Sequence, residues 1–107
     1  MDEKRSPSEL EAAVEAACEE YYDKNAQWTV MGLPFDEDEK RHALHIMKSM
    51  YMCWLGQYNP GHFVNALLKN DFMEVINRAD ETNRRCLKLY AWFKHNKMNK
   101  GIEYYDS

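Results

Sequence analysis

The chain has 107 residues, 45% of them apolar, with only 4 Gly and 3 Pro, which supports one folded core and excludes wholesale disorder or a loop-rich, many-stranded β architecture. No apolar run approaches the ~20 residues that a membrane-spanning helix needs, no signal-peptide pattern is present, and Cys18, Cys53 and Cys86 form no C-x-x-C pair, so the expected setting is a reducing cytoplasm. The net charge of −4 conceals a division: residues 1–39 hold 3 Lys+Arg against 12 Asp+Glu, while residues 40–107 hold 11 against 6.

The pattern predicts an all-α protein, a compact bundle of four to five helices (about 7–23, 37–55, 60–69, 72–79 and 81–96) in a single domain spanning 1–107. Residues 1–5 and 97–107 are expected to be flexible or loosely docked. In the first helix Ser6 can cap, Pro7 suits the first turn and Glu9 completes a capping box. Leu10, Val14, Ala17, Cys18 and Tyr21 recur on one face, and the other face is nearly all Glu. Residues 24–35, "KNAQWTVMGLPF", lack periodicity and contain Gly32 and Pro34, so they are expected to form a loop whose Trp28, Met31 and Phe35 fold back onto the core. The acidic first helix is expected to pack near the basic last one.

Asp36 with Glu39 signals the second helix, whose stripe is Ala43, Leu44, Met47, Met50, Tyr51, Trp54 and Leu55. Ile46 and Cys53 fall outside that stripe, so the helix is apolar around most of its girth and lies either at the centre of the bundle or at an interface. A homodimer contact through Ile46, Met50 and Cys53 is expected on this ground. Asn59 and Pro60 suit the start of the third helix, which turns Phe63, Val64, Leu67 and Leu68 inward. Asn70 suits a left-handed stop, and Asp71 with Glu74 opens the next helix. Phe72, Val75, Ile76, Ala79, Cys86, Leu89, Tyr90 and Phe93 share a face that is expected to break near Asp80, a fresh cap. Asn83 projects near the apolar seam and is expected to hydrogen-bond a loop or helix end, because a buried unpaired amide costs roughly 1 to 3 kcal/mol. Asp80 and Arg84 have the spacing of an i, i+4 ion pair.

Six bases and no acid lie between Arg84 and Lys100. By the 100° step of an α-helix, Arg85, Lys88 and Trp92 fall within about 60° of one another on the side away from Cys86. Lys88 can lie over the Trp92 ring as a local cation–π contact, or the two can anchor a partner. Arg84, Arg85, Lys88 and Trp92 are therefore the candidate partner-binding residues. The same basic run, interleaved with Tyr90, Trp92, Phe93 and His95, gives the alternative of nucleotide or nucleic-acid binding by the 84–100 face.

Catalytic and metal chemistry finds too few groups. Glu39-x-x-His42, with His45 beyond it, is a single Glu-x-x-His step where a di-iron bundle needs two and further carboxylates. His62 and His95 stand alone near helix ends. The cysteines sit on or beside apolar faces of separate helices, and there is neither a Gly-rich phosphate loop nor a G-x-S-x-G. No cofactor, no metal site and no enzymatic activity are expected.

Residues 61–96, "GHFVNALLKNDFMEVINRADETNRRCLKLYAWFKHN", resemble a group of small proteins of phages and prophages. The matching features are F-V-x-A-L-L from Phe63, the Asn70-Asp71 junction, Ala79-Asp80, Asn83 and the aromatic-rich ending at Asn96. Such proteins often continue with Trp-Gly-Ser, where this chain has "KMNKGIEYYDS". The resemblance carries over no residue role. It implies a stoichiometric binder of a bacterial host protein, acting in the host cytoplasm as an inhibitor of a host or defence component in the manner of an anti-CRISPR.

Overall fold

Side chains satisfy the unpaired amides at three of this protein's helix starts, at Asp36, Asp71 and Asp80. In the computed structural model, which describes residues 7–32, 35–57 and 61–98, the order is α1 (Pro7–Thr29), α2 (Glu37–Trp54), α3 (His62–Lys69), α4 (Phe72–Arg78), α5 (Glu81–Arg85) and α6 (Leu87–Trp92). A widened π turn, Phe93–Lys97, continues α6. The protein is an all-α bundle, with no strand among the described residues. Asp36 accepts from the Glu39 amide at 2.8 Å while the Glu39 carboxylate accepts from the Asp36 amide, closing the expected box at α2. Asp71 caps α4 through the Glu74 amide. Asn70 adopts the left-handed stop, at φ 61°.

Two helix boundaries differ from the sequence expectation. α1 runs on to Thr29, where a loop was expected from residue 24. Its polar end is held by side chains that bond back one turn, Asn25 Nδ2 to the Tyr21 carbonyl at 3.0 Å and Thr29 Oγ1 to the Asn25 carbonyl at 2.8 Å. Tyr22, Ala26 and Val30 carry the buried stripe through this stretch. Trp28, two residues beyond Ala26, consequently points outward, and both Trp28 and Met31 are about two-thirds exposed (66% and 67%) rather than folded onto the core, where Phe35 does pack. The second difference is in the last helix. It breaks at Asp80, as expected, and Asp80 Oδ1 accepts from the Asn83 amide at 2.8 Å. It is then interrupted again at Cys86 (φ −106°, ψ 7°), so residues 81–96 form two short helices and the π turn. Met98 follows with its side chain buried, so the core reaches past the expected end at residue 96. Asn59, Pro60, Tyr104 and Tyr105 lie outside the described residues, as does the side chain of Phe72.

α2 is the centre of the bundle, packed against α1, α3, α5 and the π turn. Ala43, Met47, Met50 and Tyr51 are buried on its expected stripe, and Ile46 (9% exposed) and Met52 (3%) are buried beside them. This corrects the expected homodimer contact: Ile46 and Met50 are covered within one chain, so only half-buried Cys53 of the three is near the surface. Tyr51, Tyr90 and Phe93 form the aromatic middle, with Phe93 edge-on to both Tyr21 and Tyr51. Trp54 and Ile76, expected in the core, are exposed.

The charge division is resolved mainly between α1 and α2. Lys48 bridges Glu11 and Glu15 at 2.5 and 2.6 Å, and Lys40 approaches Asp23 at 3.6 Å. Of the basic run from Arg84, Arg85 pairs with Glu39 of the acidic half.

Asn83 is buried, and its Oδ1 accepts from the Tyr90 hydroxyl at 2.6 Å, a side chain in the next helix rather than a loop or helix end. Tyr51 Oη is buried without a hydrogen-bond partner among the described residues. The two tyrosines should therefore respond oppositely to loss of the hydroxyl. Tyr90→Phe leaves a buried amide oxygen unpaired and should lower stability by about 1 to 3 kcal/mol. Tyr51→Phe removes an unsatisfied group and should be neutral or stabilising by up to about 1 kcal/mol. Urea unfolding of both variants checks this, and equal destabilisation would contradict the assignment.

Candidate functional site

Arg85 folds back onto the chain instead of facing solvent. Its Nε donates to the Met31 carbonyl at 2.7 Å, Nη2 donates to the Gly32 carbonyl, and Nη1 donates to Glu39 at 3.0 Å. The guanidinium lies 4.2 Å from the Phe35 ring centroid, and the Arg85 carbonyl accepts from the Met31 amide at 3.0 Å. Gly32 makes room for this clasp. It sits at φ +77°, and a Cβ there would stand 3.1 Å from Arg85 Nη2. The expectation that Arg85 stands with Lys88 and Trp92 on the outer side, ready for a partner, is thus corrected: its fork is committed to joining the end of α1, the start of α2 and the end of α5.

The other candidate residues divide. Arg84 is exposed, and Asp80, its expected ion-pair partner, instead meets His42 Nε2 at 3.2 Å. Lys88 is exposed with Nζ 5.2 Å from the Trp92 ring centroid, and Trp92 is half-buried beneath it. The local cation–π contact therefore forms, and Trp92 is not a free-standing anchor.

Beside this pair lies a feature the sequence reading missed. A groove of about 560 Å³ runs between α6 and the α3–α4 pair, with Met50, Leu67, Val75, Leu87, Tyr90 and Ala91 making its apolar surface. Among the described residues its polar lining is Asn70, Lys88, Lys94 and His95, with no carboxylate. Lys94 Nζ donates to the Leu68 carbonyl at 2.8 Å, the Leu67 carbonyl at 3.4 Å and Asn70 Oδ1 at 3.0 Å. It thereby closes the carbonyl end of α3 with the charge sign that end favours. Burial pulls the Lys94 ammonium below the usual lysine range. The signal in the sequence was the apolar Leu87 and Ala91 on the same outer side as Lys88, a face otherwise assigned to charge.

A smaller cavity of about 240 Å³ is lined by Glu15, Cys18, Glu19, Arg41, Leu44, His45 and Lys48, groups of both signs, and Lys48 is already paired with Glu11 and Glu15 there. Among the described residues no three His, Cys, Asp or Glu side chains form a metal-sized group. Burial pushes Cys18 from its ordinary 9.0 up to about 12 and Cys86 up to about 11, and it raises half-buried Cys53 as well.

Fold and site together define a class, a small helical bundle with a basic-rimmed apolar groove on its last helix. Comparison with protein-family models, with curated proteins and with solved structures finds no match. Among the described residues no helix is long and apolar enough to cross a membrane.

Two predictions follow from these contacts. Arg85→Ala should cost roughly 2 to 4 kcal/mol in urea unfolding, and Arg85→Lys should recover only a small part because a point charge cannot span two carbonyls and a carboxylate. Full rescue by Lys would contradict the clasp. For the thiols, the unfolded chain ionises near pH 9 while folded Cys18 and Cys86 hold their protons to about 12 and 11. Between those values the unfolded state binds fewer protons, so stability should fall as pH rises above 9. Calorimetry from pH 8 to 11 checks this, with the decline shallower in Cys18→Ala. Ellman's reagent should label Cys53 in the folded protein and reach Cys18 and Cys86 only as fast as the chain unfolds.

Proposed function

We propose that this chain acts stoichiometrically, without catalytic turnover, by binding a protein partner through the groove beside α6. The observation that carries this reading is the groove itself: an open apolar surface whose lining, among the described residues, has bases and no acid. Apolar concavities carrying a few polar groups are where ligands and partners commonly seat. Lys88 belongs to both the groove and the candidate set of Arg84, Arg85, Lys88 and Trp92, so the binding face shifts by part of a turn from where the sequence puts it. Arg84 and Arg85 do not line the groove, and Arg85 is engaged by Met31, Gly32 and Glu39 instead.

The resemblance of residues 61–96 to small phage and prophage proteins supplies the setting: a bacterial host protein as target, interference with a host or defence component, and an anti-CRISPR-like mode of action in the host cytoplasm. Burial of Cys18 and Cys86 supports a non-nucleophilic role. The alternative, nucleotide or nucleic-acid binding along 84–100, has the six bases in its favour. It lacks a stacking platform there, because Tyr90 and Phe93 are buried and Trp92 lies under Lys88.

Capture from a bacterial lysate with immobilised protein, compared with Ala91→Trp, separates these readings. Ala91 is exposed on the groove wall, so an indole there fills the groove without entering the core. The expected outcome is a protein retained at near-unit stoichiometry, resistant to nuclease, and reduced at least tenfold by Ala91→Trp at unchanged melting temperature. Retention unaffected by Ala91→Trp, or abolished by nuclease, would overturn the proposal.

A further inference from the structure

The groove has a length, an openness and a charge that together restrict what fits it. Leu87, Lys88, Ala91 and His95 succeed one another along its α6 wall, a distance of about 12 Å at 1.5 Å per residue, or about two turns of an α-helix. The facing wall is Leu67, Asn70 and Val75, with Met50 and Tyr90 between the two. Ala91, Asn70 and His95 are exposed, so the groove is open along its side rather than closed over. A single acyl chain laid there would leave much of itself in water, whereas an amphipathic helix covers the opening with its own polar face. An extended peptide has no sheet edge to join among the described residues.

Charge narrows the occupant further. Lys88 and Lys94 flank the groove on opposite sides of Ala91 in sequence, and among the described residues no carboxylate lines it. Lys94 directs its ammonium at the Leu67 and Leu68 carbonyls and at Asn70, so it contributes a positive field and few spare donors. Exposed Lys88, resting over Trp92, is the cation placed to meet an incoming carboxylate at the rim. Its contact with the ring restricts a long side chain beforehand, which lowers the ordering cost of an ion pair.

Resting on the protein-partner reading, we infer that the groove receives an acidic amphipathic helix of the partner, with apolar residues spaced i, i+3 or i+4, and i+7 on the surface that Leu67, Leu87 and Ala91 offer and Asp or Glu beside Lys88. Helix-in-groove recognition of this kind gains affinity from the apolar anchors, while the rim charges set specificity and encounter rate.

The test uses the full chain and a panel of fluorescein-labelled synthetic helical peptides of about 14 residues, about four turns. The anchors are Leu, Ile or Phe, and the flanks are either Glu or Lys. Anisotropy at low salt should show Glu-flanked members binding at least tenfold more tightly than their Lys-flanked counterparts. Lys88→Glu should reverse that preference, and Ala91→Trp should abolish binding of both, with melting temperatures confirming that both variants are folded. Equal binding of the two flank types, or binding indifferent to Ala91→Trp, overturns the inference. If every peptide fails while lysate capture remains sensitive to Ala91→Trp, the helix inference falls and the protein-partner reading stands. Lysate capture indifferent to Ala91→Trp removes the partner reading itself. Concentration-dependent dimerisation abolished by Ala91→Trp in sedimentation assigns the groove to a second copy and likewise overturns the inference.

Discussion

One guanidinium fixes how the two ends of this fold meet. Arg85 takes the carbonyls of Met31 and Gly32 and the Glu39 carboxylate in one plane, with Phe35 beneath it. The carbonyls close the end of α1, while Glu39 is at once the residue that caps α2. Three helix ends therefore share one cation, and their relative placement depends on it. Because Arg85 is followed directly by the interruption at Cys86, the clasp also sets where α6 starts and which way it runs.

The groove is a consequence of that start. An unbroken helix over 72–96 would carry its apolar stripe continuously along one side. The Asp80 cap and the Cys86 interruption instead divide it, so α4 pairs with α3 while α6 packs on α1. The apolar side chains between these two pairs, Leu67 and Val75 on one wall, Leu87 and Ala91 on the other, are left facing each other across open space. Lys94 spans the gap from the π turn to the end of α3, holding the walls apart at a fixed distance. A π turn advances side chains by less per residue than an α-helix does, a device often found where a helix must re-aim a functional residue. Here the re-aimed residue is Lys94, and the hydrogen bonds it makes define one end of the groove.

Much of this architecture is legible in the sequence because it is written in local chemistry. Asp36 with Glu39, Asp71 with Glu74, the left-handed Asn70 and the cap at Asp80 all act within a few residues, and all four stand where their spacing places them. What the sequence hides is long-range. The partners of Arg85 lie 46 to 54 residues away, so a helical wheel shows only a charge on the outer side. Ile46 and Cys53 look surplus on a wheel because a wheel cannot show that α2 has neighbours on several sides. The continuation of α1 through Asn25 and Thr29 escapes a hydrophobicity pattern because it is held by side chains bonding back to the helix. The groove escapes for a related reason: it is a gap left between two helix pairs that meet elsewhere, at Phe63 and Tyr90, and neither pair carries the signal alone.

Besides the recessed groove, Trp28, Met31, Trp54, Met73 and Ile76 are exposed among the described residues, with Trp28 and Met31 projecting together at the end of α1. The groove is the proposed binding surface. Methyl and amide chemical-shift mapping on the labelled protein, with the captured partner added to saturation, tests that assignment most directly. The predicted result is a contiguous set of perturbed resonances at Met50, Leu67, Val75, Leu87 and Ala91, with Met31 and the Trp28 indole unchanged. Perturbations centred on Trp28 and Met31, with the groove silent, would contradict it.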